Sequence, residues 1–239
     1  QRQMCIRDST KVIKALKDGM MFSLPFLMIG SLFLLIANLP IKSLNTLVAE
    51  CGLADICSQV YSSTFSLMAL FTVVGITYSY LKNDKISTAV NGALTGLAAF
   101  VLLTPSSKVL ENGEAVTGVI SKDWTAGQGM ICAILIGFLV GYIYSLCIRK
   151  DIRVKMPEGV PPGVADSFSS LLPTGIITIV CAIIYAVCHF VFKTTFAELI
   201  YSAIQIPLQG VTDSFAGVVI MKVMMSLFCW SYLWWYPFT

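Results

Sequence analysis

Residues 127–148 read GQGMICAILIGFLVGYIYSLCI, a run of 22 residues without a charged side chain. An α-helix needs about 20 apolar residues to cross the hydrocarbon core of a bilayer. Arg149 and Lys150 follow the run directly, and basic residues are common where such a helix emerges into water. This stretch therefore predicts a transmembrane helix.

The composition of the whole chain also indicates a protein that lies in lipid. Of its 239 residues, 56% are hydrophobic and only 12% are charged, whereas a soluble domain carries roughly 25% charged residues. This balance excludes an ordinary soluble domain. The net charge of +3, without a basic patch that contains aromatic residues, does not favour nucleic-acid binding.

Five further apolar runs extend this prediction along the chain, at residues 19–39, 60–81, 86–103, 173–192 and 214–236. The sequence therefore predicts an all-α, polytopic membrane protein of about six transmembrane helices. Residues 11–18 and 195–210 have apolar residues at helical spacing but are too short to cross, which is typical of amphipathic helices at the membrane interface.

The distribution of basic residues predicts the orientation. The six runs are numbered in chain order, so that 127–148 is the fourth. Eleven Lys and Arg residues lie before the first run, between the second and third runs, or between the fourth and fifth runs, whereas four lie in the other gaps. Basic residues favour the cytoplasmic side of a membrane. The N-terminus and the gap that follows Arg149 are therefore predicted to be cytoplasmic.

That cytoplasmic gap contains the sequence MPEGVPPGV at residues 156–164. Proline fixes the backbone φ angle and glycine adopts conformations that other residues do not, so this loop has a defined shape. Pro157 suits the second position of a β-turn, with Gly159 in the fourth position and Glu158 projecting between them. The loop either has a function that needs this defined shape or is a solvated linker between two halves of the chain.

The second half of this loop leads into the fifth run. Pro161 and Pro162 stiffen the chain, and Pro162 is suited to the first turn of a helix. Residues 164–172 are predicted to form a short separate helix that ends where the fifth run begins at Pro173. Lys222 lies about two turns inside the sixth run, where a charge is costly unless it is paired or functional; it joins the loop residues as a substrate-path candidate.

Two GxxxG motifs, Gly92 with Gly96 and Gly137 with Gly141, lie within apolar runs. Glycines one turn apart let another helix approach closely. They mark either an interface between subunits or packing within one subunit, and we favour the second reading.

No catalytic or metal-binding pattern accompanies these features in the sequence. The eight cysteines include no CxxC pair, and His189 is the single histidine, so neither a zinc site nor a Ser/His/Asp arrangement is predicted. We expect no cofactor, no metal and no catalytic residue on this chain.

The loop residues 156–164, followed by Ser167-Phe168 and Leu172-Pro173, resemble a signature of the IIC sugar permease of the bacterial phosphotransferase system. The branch is the lactose, cellobiose and diacetylchitobiose family. The opening segment is also similar, with Ala15 to Gly19, Ser23-Leu24-Pro25 and Asn38-Leu39-Pro40 in order.

This resemblance implies a homodimer in the bacterial cytoplasmic membrane. Such a permease carries a disaccharide inward by an elevator-like movement, and a phosphocysteine on a separate IIB protein then phosphorylates the sugar. The first five spans would form the dimerising scaffold, and Glu158 with its turn would help to close the inner side of the path.

The resemblance also has departures. Members of the family are nearly twice as long, and their sugar-binding half contains a Gly-Ile-His-Gly motif where this chain instead ends in residues 231–239. We therefore expect a truncated chain that does not transport alone. Its expected parts are a foreign leader at residues 1–10, a scaffold at 11–213 with a cytoplasmic loop at 149–172, and the start of the sugar-binding domain at 214–239.

Two alternatives stay open at this point. An ion-coupled secondary transporter would need buried carboxylates, and no carboxylate lies inside any predicted run. A dimerisation scaffold without transport activity is the other alternative.

Overall fold

The computed structural model describes residues 2–38, 52–109, 115–154 and 161–206. Nine α-helices lie within these residues: α1 (Arg2–Met21), α2 (Leu24–Ala37), α3 (Leu53–Thr64), α4 (Met68–Asn83), α5 (Ala89–Leu103), α6 (Lys122–Thr125), α7 (Met130–Arg149), α8 (Pro162–Val187) and α9 (Phe196–Ile200). Two 3-10 turns, Phe65–Leu67 and Gly127–Gly129, precede α4 and α7, and π-helical turns at Cys188–Phe192 and Tyr201–Gln205 extend α8 and α9.

Four helical segments are long and apolar enough to cross a membrane: Lys11–Ala37, Leu53–Asn83, Gly127–Arg149 and Gly163–Phe192. They correspond to the first, second, fourth and fifth predicted runs. The third run forms a shorter apolar helix, Ala89–Leu103. The sixth predicted run lies outside the described residues. The all-α, polytopic prediction is confirmed.

Three of these segments begin earlier than hydropathy predicts, and they include carboxylates. Asp18, Asp55 and Asp166 all lie in helices, before the start of the predicted runs, so the helices as observed include carboxylates that the predicted runs do not. Asp55 lies in the first turn of α3, where a negative charge interacts favourably with the helix dipole. Hydropathy marks the lipid-facing length, whereas backbone hydrogen bonding continues beyond it.

The first membrane-length segment is divided at Phe22 and Ser23, between α1 and α2. The Ser23 hydroxyl donates a hydrogen bond to the Met20 carbonyl at 2.7 Å. Pro25 lies in the first turn of α2, where a helix does not need the N–H that proline lacks. The break separates α1, which packs on α4, from α2, which packs mainly on α3.

Helix α4 is the centre of the bundle, with α1 on one side and α5 and α7 on the other. The fully buried side chains include Ile76 of α4, Phe100 of α5, and Ile136 and Tyr144 of α7. The Tyr144 hydroxyl, which is buried among apolar residues, donates to the Thr88 hydroxyl at 2.9 Å. The core cluster of the described residues therefore joins mainly α4, α5, α7 and α8, and the Tyr144 hydroxyl within it has a partner.

Helix α8 continues without interruption through Pro173. The predicted separate helix at residues 164–172 is therefore wrong, because the two segments form one helix. Pro173 is fully buried. Hydrogen bonds to α5 on both sides of it, from Asn91 to Ser170 at 3.1 Å and between Thr95 and Thr174 at 2.9 Å, hold the helix in place.

A small antiparallel hairpin is the one feature of the described residues that departs from the helical pattern. Its strands are β1 (Ser107–Val109) and β2 (Ala115–Thr117), with Lys108 paired to Val116. The hairpin precedes α6, and at this end Trp124 contacts Tyr201 edge to face, with ring centroids 5.6 Å apart. Strands of three residues carry too little alternation for the sequence to predict them.

Candidate functional site: the charged end of the helix bundle

Asp84 joins three helices at one end of the bundle. It follows α4 directly, and its side chain is only 5% exposed. Lys11 of α1 donates to Oδ1 at 2.8 Å, while Ser145 and Arg149 of α7 donate to Oδ2 at 2.6 and 2.9 Å. Both carboxylate oxygens are thus satisfied by groups that lie 61 to 73 residues away in the sequence.

The protonation state of Asp84 follows from these contacts. Burial on its own would raise the pKa of this carboxyl, but the hydrogen bonds from Lys11 and Ser145 and the charges of Arg149 and Lys11 outweigh burial and lower the pKa. Asp84 is therefore ionised at neutral pH. One negative charge faces two positive charges at this point.

The helices α4 and α7 end side by side in the same way. After each helix, one residue adopts a left-handed conformation, Lys85 with φ 58° and Asp151 with φ 56°. The next amide N–H groups, of Ile86 and Ile152, donate back to Leu81 and Cys147 at 3.1 and 2.9 Å. This is the Schellman arrangement, in which the last carbonyls of a helix are satisfied.

A polar cavity of about 240 Å³ lies between these two helix ends and the start of α8. Its lining combines positive, negative and hydroxyl side chains: Asp84, Lys85, Ser87, Thr88, Arg149, Arg153, Asp166 and Ser169. Arg153 also pairs with Asp151 at 2.7 Å. The cavity holds more positive than negative side chains, so it suits an anionic group or an acidic protein surface.

Two residues that flank the predicted proline-glycine loop line this cavity, Arg153 before the loop and Asp166 after it. Pro157, Glu158 and Gly159 lie outside the described residues, as does Lys222. Pro161 immediately precedes α8 with ψ 137°, and Pro162 occupies its first turn, as the sequence predicts. The two described ends of the loop therefore border the polar cavity.

The four GxxxG glycines face other helices of the same chain. A Cβ at Gly92 would overlap Leu81, and at Gly96 it would lie 2.6 Å from the Thr77 hydroxyl oxygen. For the second motif, a Cβ at Gly137 would lie 3.2 Å from Ile76, and at Gly141 it would lie 3.0 Å from the Tyr80 ring. These faces are already occupied within the subunit.

A polar seam joins α5 to α8 beside a groove of about 300 Å³. The Asn91 side-chain amide donates to the Asp166 carbonyl at 3.2 Å as well as to Ser170. Thr95 reaches Thr174 across the same interface. These polar groups bond between helices, which fixes the start of α8, and therefore the end of the loop, against α5.

Sequence reasoning missed Asp84, Ser145 and Asp166. The signal for Asp84 is its position, since it is the one acidic residue in the short basic turn between the second and third runs. A carboxylate placed among lysines next to a transmembrane helix is a candidate for an ion pair. Its partners Lys11 and Arg149 carry no such local signal.

The described residues contain no group of three or more His, Cys, Asp or Glu side chains that is able to hold a metal ion. The charged end thus offers ion pairs and hydrogen-bond donors. Its chemistry is that of binding and of positioning helix ends.

Membrane-length apolar helices, a buried ion-pair centre and a polar cavity at one end define a polytopic integral membrane protein. Within that class, the family model of the phosphotransferase system EIIC matches residues 17–231, and the chain belongs to this family.

Individual relatives agree with this assignment. The oligo-beta-mannoside-specific EIIC component of Bacillus subtilis (strain 168) is 34% identical over 232 residues, which cover 96% of this chain and 51% of the relative. The cellobiose-specific EIIC component of Geobacillus stearothermophilus is 30% identical over 228 residues, covering 92% and 50%.

A solved structure is similar over the same length. The crystal structure of ChbC, the IIC component of the N,N'-diacetylchitobiose-specific phosphotransferase system, matches with a TM-score of 0.81 and 30% identity, covering 91% of this chain and 52% of ChbC. The chain spans about half the length of the relatives it matches.

Proposed function

We propose that this chain supplies the membrane scaffold of a phosphotransferase permease for a disaccharide of the cellobiose, chitobiose or lactose type. A IIB partner protein phosphorylates the sugar as it enters. The observation that carries the proposal is the fold shared with ChbC over 91% of the chain at 30% identity. Residues 11–213 form the scaffold in this proposal, and residues 214–239 begin the sugar-binding domain.

We further propose the bacterial cytoplasmic membrane as the location, with the N-terminus and the charged end inside the cell. The distribution of lysine and arginine supports this orientation. The structure adds that Lys11, Lys85, Arg149 and Arg153 meet at one end of the bundle. The IIB partner approaches from that side, since its phosphate donor is cytoplasmic.

The proline-glycine loop acts in this proposal as part of the inner gate. Its two described ends lie beside the polar cavity, and the hydrogen bonds of Asn91 fix the start of α8. Because the loop connects α7 to α8, a movement of α8 relative to α7 would change the shape of the loop. Glu158 and Lys222 are the charged groups proposed to face the sugar path.

A homodimer is proposed from the same resemblance. The structure supports an interface that avoids the GxxxG motifs, because those glycines pack within the chain. The outer face of α8 is an available surface, with Ile179 62% and Ile183 57% exposed. In lipid, such a face contacts either acyl chains or a second subunit.

A chimera tests the transport proposal. Residues 11–206 of this chain replace the matching part of the oligo-beta-mannoside relative, and vesicles that contain the chimera are supplied with the IIB protein and phosphoenolpyruvate. We expect accumulation of a sugar phosphate that depends on phosphoenolpyruvate. The parent relative serves as the control for vesicle quality and for the IIB protein.

Two results would contradict the proposal. One is a chimera that reaches the membrane in normal amount and unfolds at a normal temperature but accumulates no sugar phosphate. The other is uptake that requires a proton or sodium gradient and does not depend on phosphoenolpyruvate, which would favour the ion-coupled transporter.

A further inference from the structure

A second polar cavity lies at the same end of the bundle as Asp84, between α1 and α4. It has a volume of about 550 Å³. The polar side chains that line it are Lys14, Asp18, Ser79, Lys82 and Asn83. The Asn83 Nδ2 atom is buried and has no hydrogen-bond partner within the described part of the chain.

This cavity adjoins an apolar groove of about 440 Å³, because Phe22 lines both. The groove follows the break between α1 and α2, and aromatic side chains form much of its wall. Phe22 contacts Tyr78 edge to face at 5.9 Å, and Phe26 stacks on Phe71 at 4.4 Å. Lys82 lies 5.5 Å above the Tyr78 ring, so a positive charge stands where the polar cavity meets the groove.

The dimensions match one lipid in one leaflet. Asn83 and Phe71 are twelve residues apart, which corresponds to roughly 18 Å of helix. Half of the hydrocarbon core of a bilayer is about 15 Å thick. The polar cavity lies at the end of the bundle marked by Asp84, and the groove runs from there toward the middle of α4. A headgroup at Lys82 and an acyl chain along Tyr78, Val74 and Phe71 fit this order.

The charges favour an anionic headgroup. Lys14 and Lys82 together carry two positive charges, and Asp18 carries one negative charge, so the cavity is singly positive. A phosphodiester carries one negative charge, and its oxygens accept hydrogen bonds from ammonium and amide groups. The hydroxyl groups of a glycerol headgroup are donors that suit the Asp18 carboxylate.

We propose that this composite site binds one anionic glycerophospholipid of the phosphatidylglycerol type. The phosphate lies against Lys14 and Lys82, the headgroup hydroxyls face Asp18, and one acyl chain occupies the groove between Phe26, Val74 and Leu97. The lipid would hold the α1–α2 break against α4. This inference does not depend on the transport proposal, since it concerns the scaffold alone.

The test is phosphatidylglycerol binding to the full chain in detergent, followed by native mass spectrometry and by titration. We expect one tightly held phosphatidylglycerol per chain. The double variant Lys14→Gln/Lys82→Gln should weaken its apparent affinity by at least about tenfold, because charge-assisted hydrogen bonds are lost. Lys17→Gln is the matched control, since Lys17 is an exposed lysine of the same helix that does not line the cavity.

A groove variant tests the acyl-chain half of the site. Leu97→Trp fills the groove and should also weaken binding while leaving the Asn83 cavity unchanged. If this variant does not fold, the comparison of Lys14→Gln/Lys82→Gln with Lys17→Gln still decides the proposal.

Several outcomes would overturn it. Equal losses for Lys17→Gln and for the double variant would show general attraction between a basic helix and anionic lipid. Equal affinity for phosphatidylethanolamine, which has no net charge, would show that the negative charge of the headgroup does not determine binding. Crosslinking of Phe26→Cys to a second copy of the chain, with no lipid retained, would show that protein covers the groove.

Discussion

Asp84 is the residue on which the charged end of the bundle depends. Its carboxylate contacts α1 through Lys11 and α7 through Ser145 and Arg149, and Asp84 itself directly follows α4. Exposed ion pairs contribute little to stability, but a nearly buried carboxylate with three donors is different, because removing it leaves the donors without a partner.

The variant Asp84→Asn should therefore lower the free energy of unfolding by about 2 kcal/mol, the scale of lost hydrogen bonds to a charged group. Chemical denaturation in detergent measures this change. Asp151→Asn is the control, because Asp151 is 45% exposed in its pair with Arg153 and surface substitutions change stability by less than about 0.5 kcal/mol. Equal effects of the two variants would contradict a structural role for Asp84.

The lowered pKa of Asp84 also predicts how stability depends on pH. A carboxyl whose pKa is lower in the folded state contributes stability above its unfolded pKa, and that stability is lost as the pH falls through the folded value. The unfolded value is near 3.8, so the loss belongs below about pH 4. The midpoint of thermal unfolding should fall more steeply below pH 4 in the natural chain than in Asp84→Asn. Parallel curves for the two proteins would exclude this linkage.

At the scale of elements, α4 is the helix against which the others are placed. Its closest crossing is with α1, where Gly75 and Gly19 leave no room for a side chain. A Cβ at Gly19 would lie 2.5 Å from the Cα of Ile76, and a Cβ at Gly75 would overlap the Gly19 carbonyl. Ala15, one turn before Gly19, is fully buried, so α1 presents two small residues to α4 as a packing face.

This crossing predicts a sharp difference between two glycine variants. Gly75→Ala should destabilise the protein by about 1–3 kcal/mol, the usual cost of overpacking, because backbone atoms of α1 have to move. Gly175→Ala in α8 is the matched control, since nothing lies within 4 Å of its added Cβ and alanine favours a helix. Thermal unfolding in detergent compares the two, and equal stability of both variants would refute the close crossing.

The sequence predicts the individual helices better than it predicts the contacts between them. Apolar length is a property of one segment, so the spans at 60–81 and 127–148 were predictable from composition alone. The Asp84 centre was not, because its partners are distant in sequence and become neighbours only when α1, α4 and α7 pack. Pro173 indicates a helix boundary by sequence, because proline usually ends a helix. Contacts with α5, which no local pattern encodes, instead hold α8 in one piece.

At the scale of the whole molecule, the bundle has two chemically different ends. One end contains Lys11, Asp84, Arg149 and the described ends of the proline-glycine loop, with its polar cavity. The other contains the hairpin, α6 and the contact between Trp124 and Tyr201. Basic residues favour the cytoplasmic side of a membrane, so this asymmetry supports the proposed orientation, in which the basic end faces the proposed IIB partner.

Cysteine labelling tests this orientation with two substitutions that leave the charge of the chain unchanged. Ile152→Cys lies at the charged end and Ile120→Cys lies near the hairpin, and both isoleucines are more than a third exposed in the structure, at 38% and 45%. Each is made in a chain whose eight native cysteines are replaced by serine or alanine. In intact cells, a membrane-impermeant maleimide should label Ile120→Cys and spare Ile152→Cys. After permeabilisation both should react, which shows that each thiol is accessible. Labelling of Ile152→Cys alone in intact cells would reverse the orientation, and labelling of both would refute the placement of the two loops at opposite membrane faces.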